Sequence, residues 1–227
     1  MPNSGGVPIV ISQDNLDELA VRLGSPNRLF RTGKVIFQDD FSKGLGAWHP
    51  DVGITWDGDH SYHGGFSCQF PAGSSLSSHH YENYAYTNPM GLEFAFAWDT
   101  ANDGLQVVFG ITDDFSMLYR AVLVLRQSAT SLWLGVGNSF TPTPVAQLHA
   151  DQRSFHNVKL TVDFATRKLK TLRIGSYNYD SQISGIPLIG TVITATTQHP
   201  SIFTEFRNDL AIGNIYLGQV IITEADE

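Results

Sequence analysis

The chain has 227 residues, 42% of them hydrophobic, which is long enough for one well-cored domain. Its formal charge of −8, from 22 acidic against 14 basic residues, argues against a phosphate-backbone binder, because that binding draws on clustered Lys and Arg. A single cysteine, Cys68, excludes an intrachain disulfide, and no apolar run is long enough for a membrane-spanning helix, so membrane insertion is not expected.

The opening Met-Pro-Asn-Ser-Gly-Gly lacks the basic and apolar regions of a secretory signal, so folding in the cytoplasm is expected, with release by lysis or a specialised machine. Pro2 to Ile11 reads as extended. A helix follows, with Asp14 as its cap, Leu16, Leu19, Ala20 and Leu23 at helical spacing, and Gly24 as a left-handed stop before Pro26. A helix this short is marginal alone. Its stripe must dock on the rest of the chain or on another subunit, which makes Leu16, Leu19 and Leu23 candidate assembly contacts. Residues 1–34 therefore read as an arm and docking helix, and 35–227 as one β-sandwich.

The 21 glycines and 10 prolines are scattered between apolar runs, as many short strands joined by turns require. Val35 and Phe37, continuing to Asp39, alternate with Ile36 and Gln38 as the first strand, and Gly44 and Gly46 break it. Trp48 returns to the core. Gly64-Gly65 introduces Phe66 to Phe70, whose phenylalanines share a face with Cys68, read as a buried and inert thiol. Leu92 to Trp98 alternates cleanly, with Glu93, Ala95 and Ala97 on the other side, and predicts a half-buried strand. Val107, Phe109 and Ile111 repeat the pattern, whereas Ala121 to Leu125 is apolar throughout and suits a strand covered on both faces. Leu132 to Val136 follows, then a hairpin from Val158–Phe164 through Ala165-Thr166-Arg167 to Leu169–Ile174, and a final strand from Ile215 to Thr223.

Candidate chemistry is sparse. Asp57, Asp59, His60 and His63 gather in one loop, readable as a transition-metal site or as a polar turn. His79 and His80 are adjacent, so in a strand they face opposite ways. A glycosidase needs two carboxyl groups flanking a bond, yet the strand that would carry them offers Glu93 followed by Ala95 and Ala97. No Gly-x-Ser-x-Gly elbow or phosphate-cradling loop is present. Sugar binding needs exposed rings beside hydrogen-bonding groups. Tyr81, Tyr84 and Tyr86, with Glu82 and Asn83 between them, offer such a platform, and Trp56 or Trp133 is placed to join it; the alternative for the tyrosines is cross-strand packing or a subunit contact.

Three pieces carry a resemblance: Asp39-Asp40-Phe41-Ser42 with Gly44-Leu45 and Trp48, the entry Gly64-Gly65-Phe66-Ser67, and His156 to Phe164. Together they resemble the concanavalin-like, laminin-G-like and carbohydrate-binding jelly-roll sandwiches over residues 35–223. That resemblance implies an all-β jelly-roll fold whose first and last strands lie side by side. It also implies a structural calcium where those strands meet, with Asp39 and Asp40 as its first half; the closing Tyr216 to Val220 departs from the pattern by lacking a carboxylate, leaving "no cofactor" as the expectation and calcium as the alternative. Glu18 to Ser25 followed by Arg31 to Phe37 resembles the entry of phage-type structural proteins. This implies a non-enzymatic component of a virion or phage-like particle, in a homo-oligomer or beside other virion proteins, with a carbohydrate-binding adhesion module as the alternative.

Overall fold

After Gly33 the chain alternates bulky apolar side chains with small or polar ones at a period of two, and that pattern builds strands with one face turned inward. The computed structural model describes residues 33–60, 62, 65–80, 88–99, 104–112, 117–127, 132–136, 139–142, 148, 151–175, 177–192, 201–208 and 213–224. The expected N-terminal arm and helix, with Leu16, Leu19 and Leu23, fall outside the described residues.

In chain order the strands are β1 (Lys34–Asp39), β2 (His49–Pro50), β3 (Thr55–Asp57), β4 (Ser67–Pro71), β5 (Ser75–His80), β6 (Pro89–Trp98), β7 (Leu105–Thr112) and β8 (Met117–Gln127). They continue with β9 (Leu132–Val136), β10 (Ser139–Pro142), β11 (His156–Asp163), β12 (Lys168–Ile174), β13 (Tyr177–Asn178), a helical turn α1 (Asp180–Ile183), β14 (Ile189–Val192), β15 (Ser201–Arg207) and β16 (Asn214–Glu224). One sheet runs β13-β12-β11-β6-β16-β4-β3, with β1 also on β16; the other runs β10-β9-β8-β7-β15-β5-β2, with β14 on β8. Every pairing is antiparallel. The molecule is a jelly-roll β-sandwich.

The core lies between the sheets. Leu92, Phe94, Phe96 and Trp98 of β6 and Val158, Leu160 and Val162 of β11 face Val107, Phe109, Leu123 and Phe206 of the second sheet, all at most 3% exposed. Phe94 meets Phe206 edge-on at 5.2 Å across the sandwich. Burying a side chain of this size is worth about 1.5–3 kcal/mol, so these rings anchor the fold.

As expected, first and last strands are neighbours: Val35 pairs with Thr223 and Asp39 with Val220. Two of the three register shifts among the described strands fall in this first and last pair. In β16 the extra residue at Gly218 moves the core face from Ile215 and Leu217 to Val220 and Ile222. The strand's two halves then take different partners on one flank, β4 before the bulge and β1 after it. In β1 a shift between Val35 and Phe37 corrects the simple alternation read from sequence: Val35 packs with Ile221 outside the main core, while Ile36 and Phe37 both lean on the core.

The half-buried expectation for β6 is also corrected. Met90 to Trp98 are all buried, and Glu93, Ala95 and Ala97 are no more than 2% exposed. In β7, Val108 is buried with Val122 and Val124 of β8 on the face away from the core. The alternation identifies the inward face but says nothing of what covers the outward one.

Candidate functional site

The site begins with a strained turn. Asp39 ends β1, and its Oδ1 accepts the Phe41 amide at 2.8 Å, while Asp40 Oδ1 accepts the Ser42 amide at 3.0 Å. These two side-chain turns hold Phe41 at φ 58°, a left-handed conformation unusual for a bulky residue, with its ring fully buried. The Phe41 carbonyl accepts the Gly44 amide at 3.1 Å and the Trp56 indole Nε1–H at 2.6 Å.

Trp56 sits in the edge strand β3, opposite Cys68. Its ring stacks on Phe66 at 4.1 Å with an interplanar angle of 21°, yet 48% of the residue stays exposed. A large ring pinned at its polar end, supported by another ring and open to solvent is preorganised for a flat apolar ligand surface. Its neighbours in β3 point to the opposite face of the strand, where Thr55 bonds Gln69 Oε1 at 3.2 Å and Asp57 holds the next loop.

Asp57 opens the loop after β3. Its Oδ1 accepts the amides of Asp59 and His60 at 2.7 and 3.2 Å, and its Oδ2 lies 2.8 Å from His60 Nδ1. Burial works to raise the Asp57 pKa, but the His60 side chain and the two amides outweigh it and hold the carboxyl below the usual range. His60 Nε2 meets Gln152 Oε1 at 2.7 Å, and the imidazole lies on Tyr216 at 4.3 Å. Both ring nitrogens are thus engaged inside the protein. Among the described residues no three His, Cys, Asp or Glu side chains are grouped to hold a metal.

Tyr62 lies over the outer face of the first sheet. Tyr62 donates its hydroxyl to Asn157 Oδ1 at 2.8 Å, and burial pushes its pKa up to about 12. Tyr62 and Phe155 occupy the space over Gly218, where a Cβ would stand 2.8 Å from the Phe155 ring and would also meet Tyr62. Nearby, Glu93 and Lys159 form a buried ion pair at 3.5 Å.

Of the residues the sequence marks for sugar binding, Trp56 is on the exposed edge of the first sheet, whereas Trp133 belongs to β9 in the second, paired through its backbone with Arg126 and Pro142. The structure does not bring them together. Tyr81, Tyr84 and Tyr86 lie outside the described residues. Asp39 and Asp40 do stand where the first and last strands meet, and both Asp39 oxygens accept protein donors, the second from Trp48 Nε1 at 2.7 Å. Sequence reasoning missed the Phe41 carbonyl and Phe66 as the holders of Trp56. The consecutive aspartates before Phe41 were the available signal, since Asp favours such side-chain turns.

No family model and no curated protein matches the chain. Solved structures do. A mixed-linkage-glucan GH16 protein of Bacteroides ovatus, in complex with its product, shares 14% identity at a TM-score of 0.43, covering 82% of this chain and 99% of that one. The CBM22-1 xylan-binding domain from Paenibacillus barcinonensis shares 10% at 0.43, over 87% and 98%. The CBM2 module of the evolved Dit of Lactobacillus casei BL23 phage J-1 shares 12% at 0.40, over 85% and 96%. The sheet order and the pairing of first with last strand by themselves make this chain a two-sheet antiparallel jelly-roll β-sandwich.

Proposed function

We propose that the protein is a non-catalytic glycan-binding sandwich serving as a surface component of a virion or phage-like assembly. The observation that carries the binding half is Trp56, half exposed while fixed by a 2.6 Å hydrogen bond and a stacked phenylalanine. Fixing the ring in advance removes an ordering cost from binding. The C–H face of a pyranose suits such a ring.

The non-catalytic half is supported by the outer face of β6. Cleaving a glycosidic bond takes two carboxyl groups about 5–9.5 Å apart. Here Glu93 is buried against Lys159, and Ala95 and Ala97 stand at the next two positions of that face. The assembly half is supported by the resemblance of residues 18–37 to the entry of phage-type structural proteins, and trimming the chain to Lys34 while following its molar mass by light scattering tests it.

Affinity electrophoresis of the full chain through gels containing neutral polysaccharides tests the binding. Wild type should be retarded by at least one of them, Trp56→Ala should migrate as in an empty gel, and Trp56→Phe should keep much of the retardation because the stacking face survives. Equal retardation of wild type and Trp56→Ala would remove Trp56 as the site and this reading with it.

A further inference from the structure

Two rows of residues on the outer face of the first sheet are buried like a core. Val220 and Ile222 of β16 point inward, so Gln219, Ile221 and Thr223 point out. Across the sheet one outward row reads Val35, Thr223, Gly91, Thr161, and the next Gln38, Ile221, Glu93, Lys159. Gly91 is buried and Gln38 half-buried, and the other six are at most 4% exposed. Val35 and Ile221 form an apolar cluster of their own there. Three buried polar atoms on this face, Gln38 Oε1, Gln219 Nε2 and Thr161 Oγ1, have no hydrogen-bond partner. Gln219 is two residues from Ile221, the cross-strand partner of Gln38, so an open acceptor and an open donor stand on one diagonal. A polypeptide segment laid over them carries both kinds of group.

The end of this face toward β4 is held by His60 on Tyr216, Tyr62 on Asn157 and Phe155 over Gly218. The other end is where the chain enters. Gly33 is buried there, two residues before Val35. Residues 1–32 precede it, and Arg31-Thr32-Gly33-Lys34 reads as a turn. The helix expected from Asp14 to Leu23 would be about 15 Å long. From β1 over β16 and β6 to β11 is about 14 Å at the ordinary strand spacing. Residues 24–33 join the two and reach at most about 33 Å.

We propose that the N-terminal segment of the same chain folds back at Gly33 and seats its Leu16, Leu19 and Leu23 stripe on these two rows. This goes beyond the assembly reading, which does not say where the arm rests in a single chain. The test places a thiol in the seat of the full chain. Ile221→Cys, with Thr223→Cys as a second reporter, is treated with a thiol reagent over a wide range of protein concentration while light scattering follows the molar mass; wild type, whose Cys68 is fully buried, sets the background. The introduced thiol should be protected to the same degree at every concentration. Leu16→Asp, Leu19→Asp and Leu23→Asp together should speed its labelling by about tenfold or more, with Cys68 still silent as the sign of an intact sandwich. Leu19→Asp alone repeats the comparison with less perturbation. Labelling as fast with the native arm as with the altered one would overturn the seat. Protection that fades on dilution as the mass falls would give the seat to a neighbouring copy's arm, overturning this inference and leaving the assembly reading standing. A protected thiol in a chain that is monomeric at every concentration upholds the seat and removes self-association.

Discussion

Asp39 and Trp48 are joined through Oδ2 and Nε1 at 2.7 Å, which ties the end of the first strand of one sheet to the entry of the other. Trp48 in turn packs against Phe37 at 5.8 Å and Phe206 at 6.0 Å. Asp39→Ala would leave the buried indole N–H and the Phe41 amide without acceptors, and each such group costs about 1–3 kcal/mol. Urea unfolding should show a loss of at least about 2 kcal/mol.

The same carboxylate fixes the sign of a pH effect. Burial raises the Asp39 pKa, more than its two hydrogen bonds lower it. A raised folded value means that the native state holds this proton more tightly than the unfolded chain does. Stability from Asp39 is therefore greatest at acid pH and declines as pH rises from the ordinary carboxylate range through the raised value. Asp57 has the opposite sign: its lowered pKa contributes stability above the ordinary range that is lost as pH falls through the folded value. Against wild type, the penalty of Asp57→Asn should shrink on acidification, and that of Asp39→Ala should shrink on the approach to neutrality.

Glycine is required at two positions for space. At Gly110 a Cβ would stand 2.6 Å from the Tyr119 carbonyl oxygen, a backbone atom of the paired strand, and at Gly218 it would meet Tyr62 and Phe155. Gly110→Ala should cost about 1–3 kcal/mol because the ladder must part. Gly218→Ala should displace the Tyr62 ring and lessen its burial, so that a tyrosine titration shows the Tyr62 phenol ionising at lower pH than in wild type.

The Glu93–Lys159 pair is buried on both sides. Lys159→Met alone should be destabilising by about 3–5 kcal/mol because it takes the cation from a buried carboxylate, whereas the Glu93→Gln, Lys159→Met double variant should recover most of that loss. A double-mutant cycle in urea measures it. Equal penalties for the single and double variants would show that the pair acts through packing.

Much of the sandwich was legible because its strands carry clean alternation. β11, β12 and β16 fall where Val158–Phe164, Leu169–Ile174 and Ile215–Thr223 predict them. β15 was missed although it lies between β7 and β5, since Ser201, Thr204 and Glu205 break its apolar run; all three are buried. β5, Ser-Leu-Ser-Ser-His-His, is polar enough to read as loop. Of the candidate site, Trp56 was visible as a ring beside aspartates. Its exposure was not, because that depends on β3 being an edge strand and on a carbonyl fifteen residues earlier.

The bulge at Gly218 has a kinetic meaning. β16 pairs with β6 along one flank and is shared between β4 and β1 on the other, so one late segment joins elements made as much as 190 residues before it, from Lys34 to Glu224. While the chain is being synthesised, β1, β4 and β6 have unpaired edges toward the place this strand will fill. The first sheet can close only once residue 224 is available, so its folding is dominated by long-range pairing and slow for its size. Until then the exposed edges invite association with other strands, the period in which a chaperone or a neighbouring copy would first meet the protein.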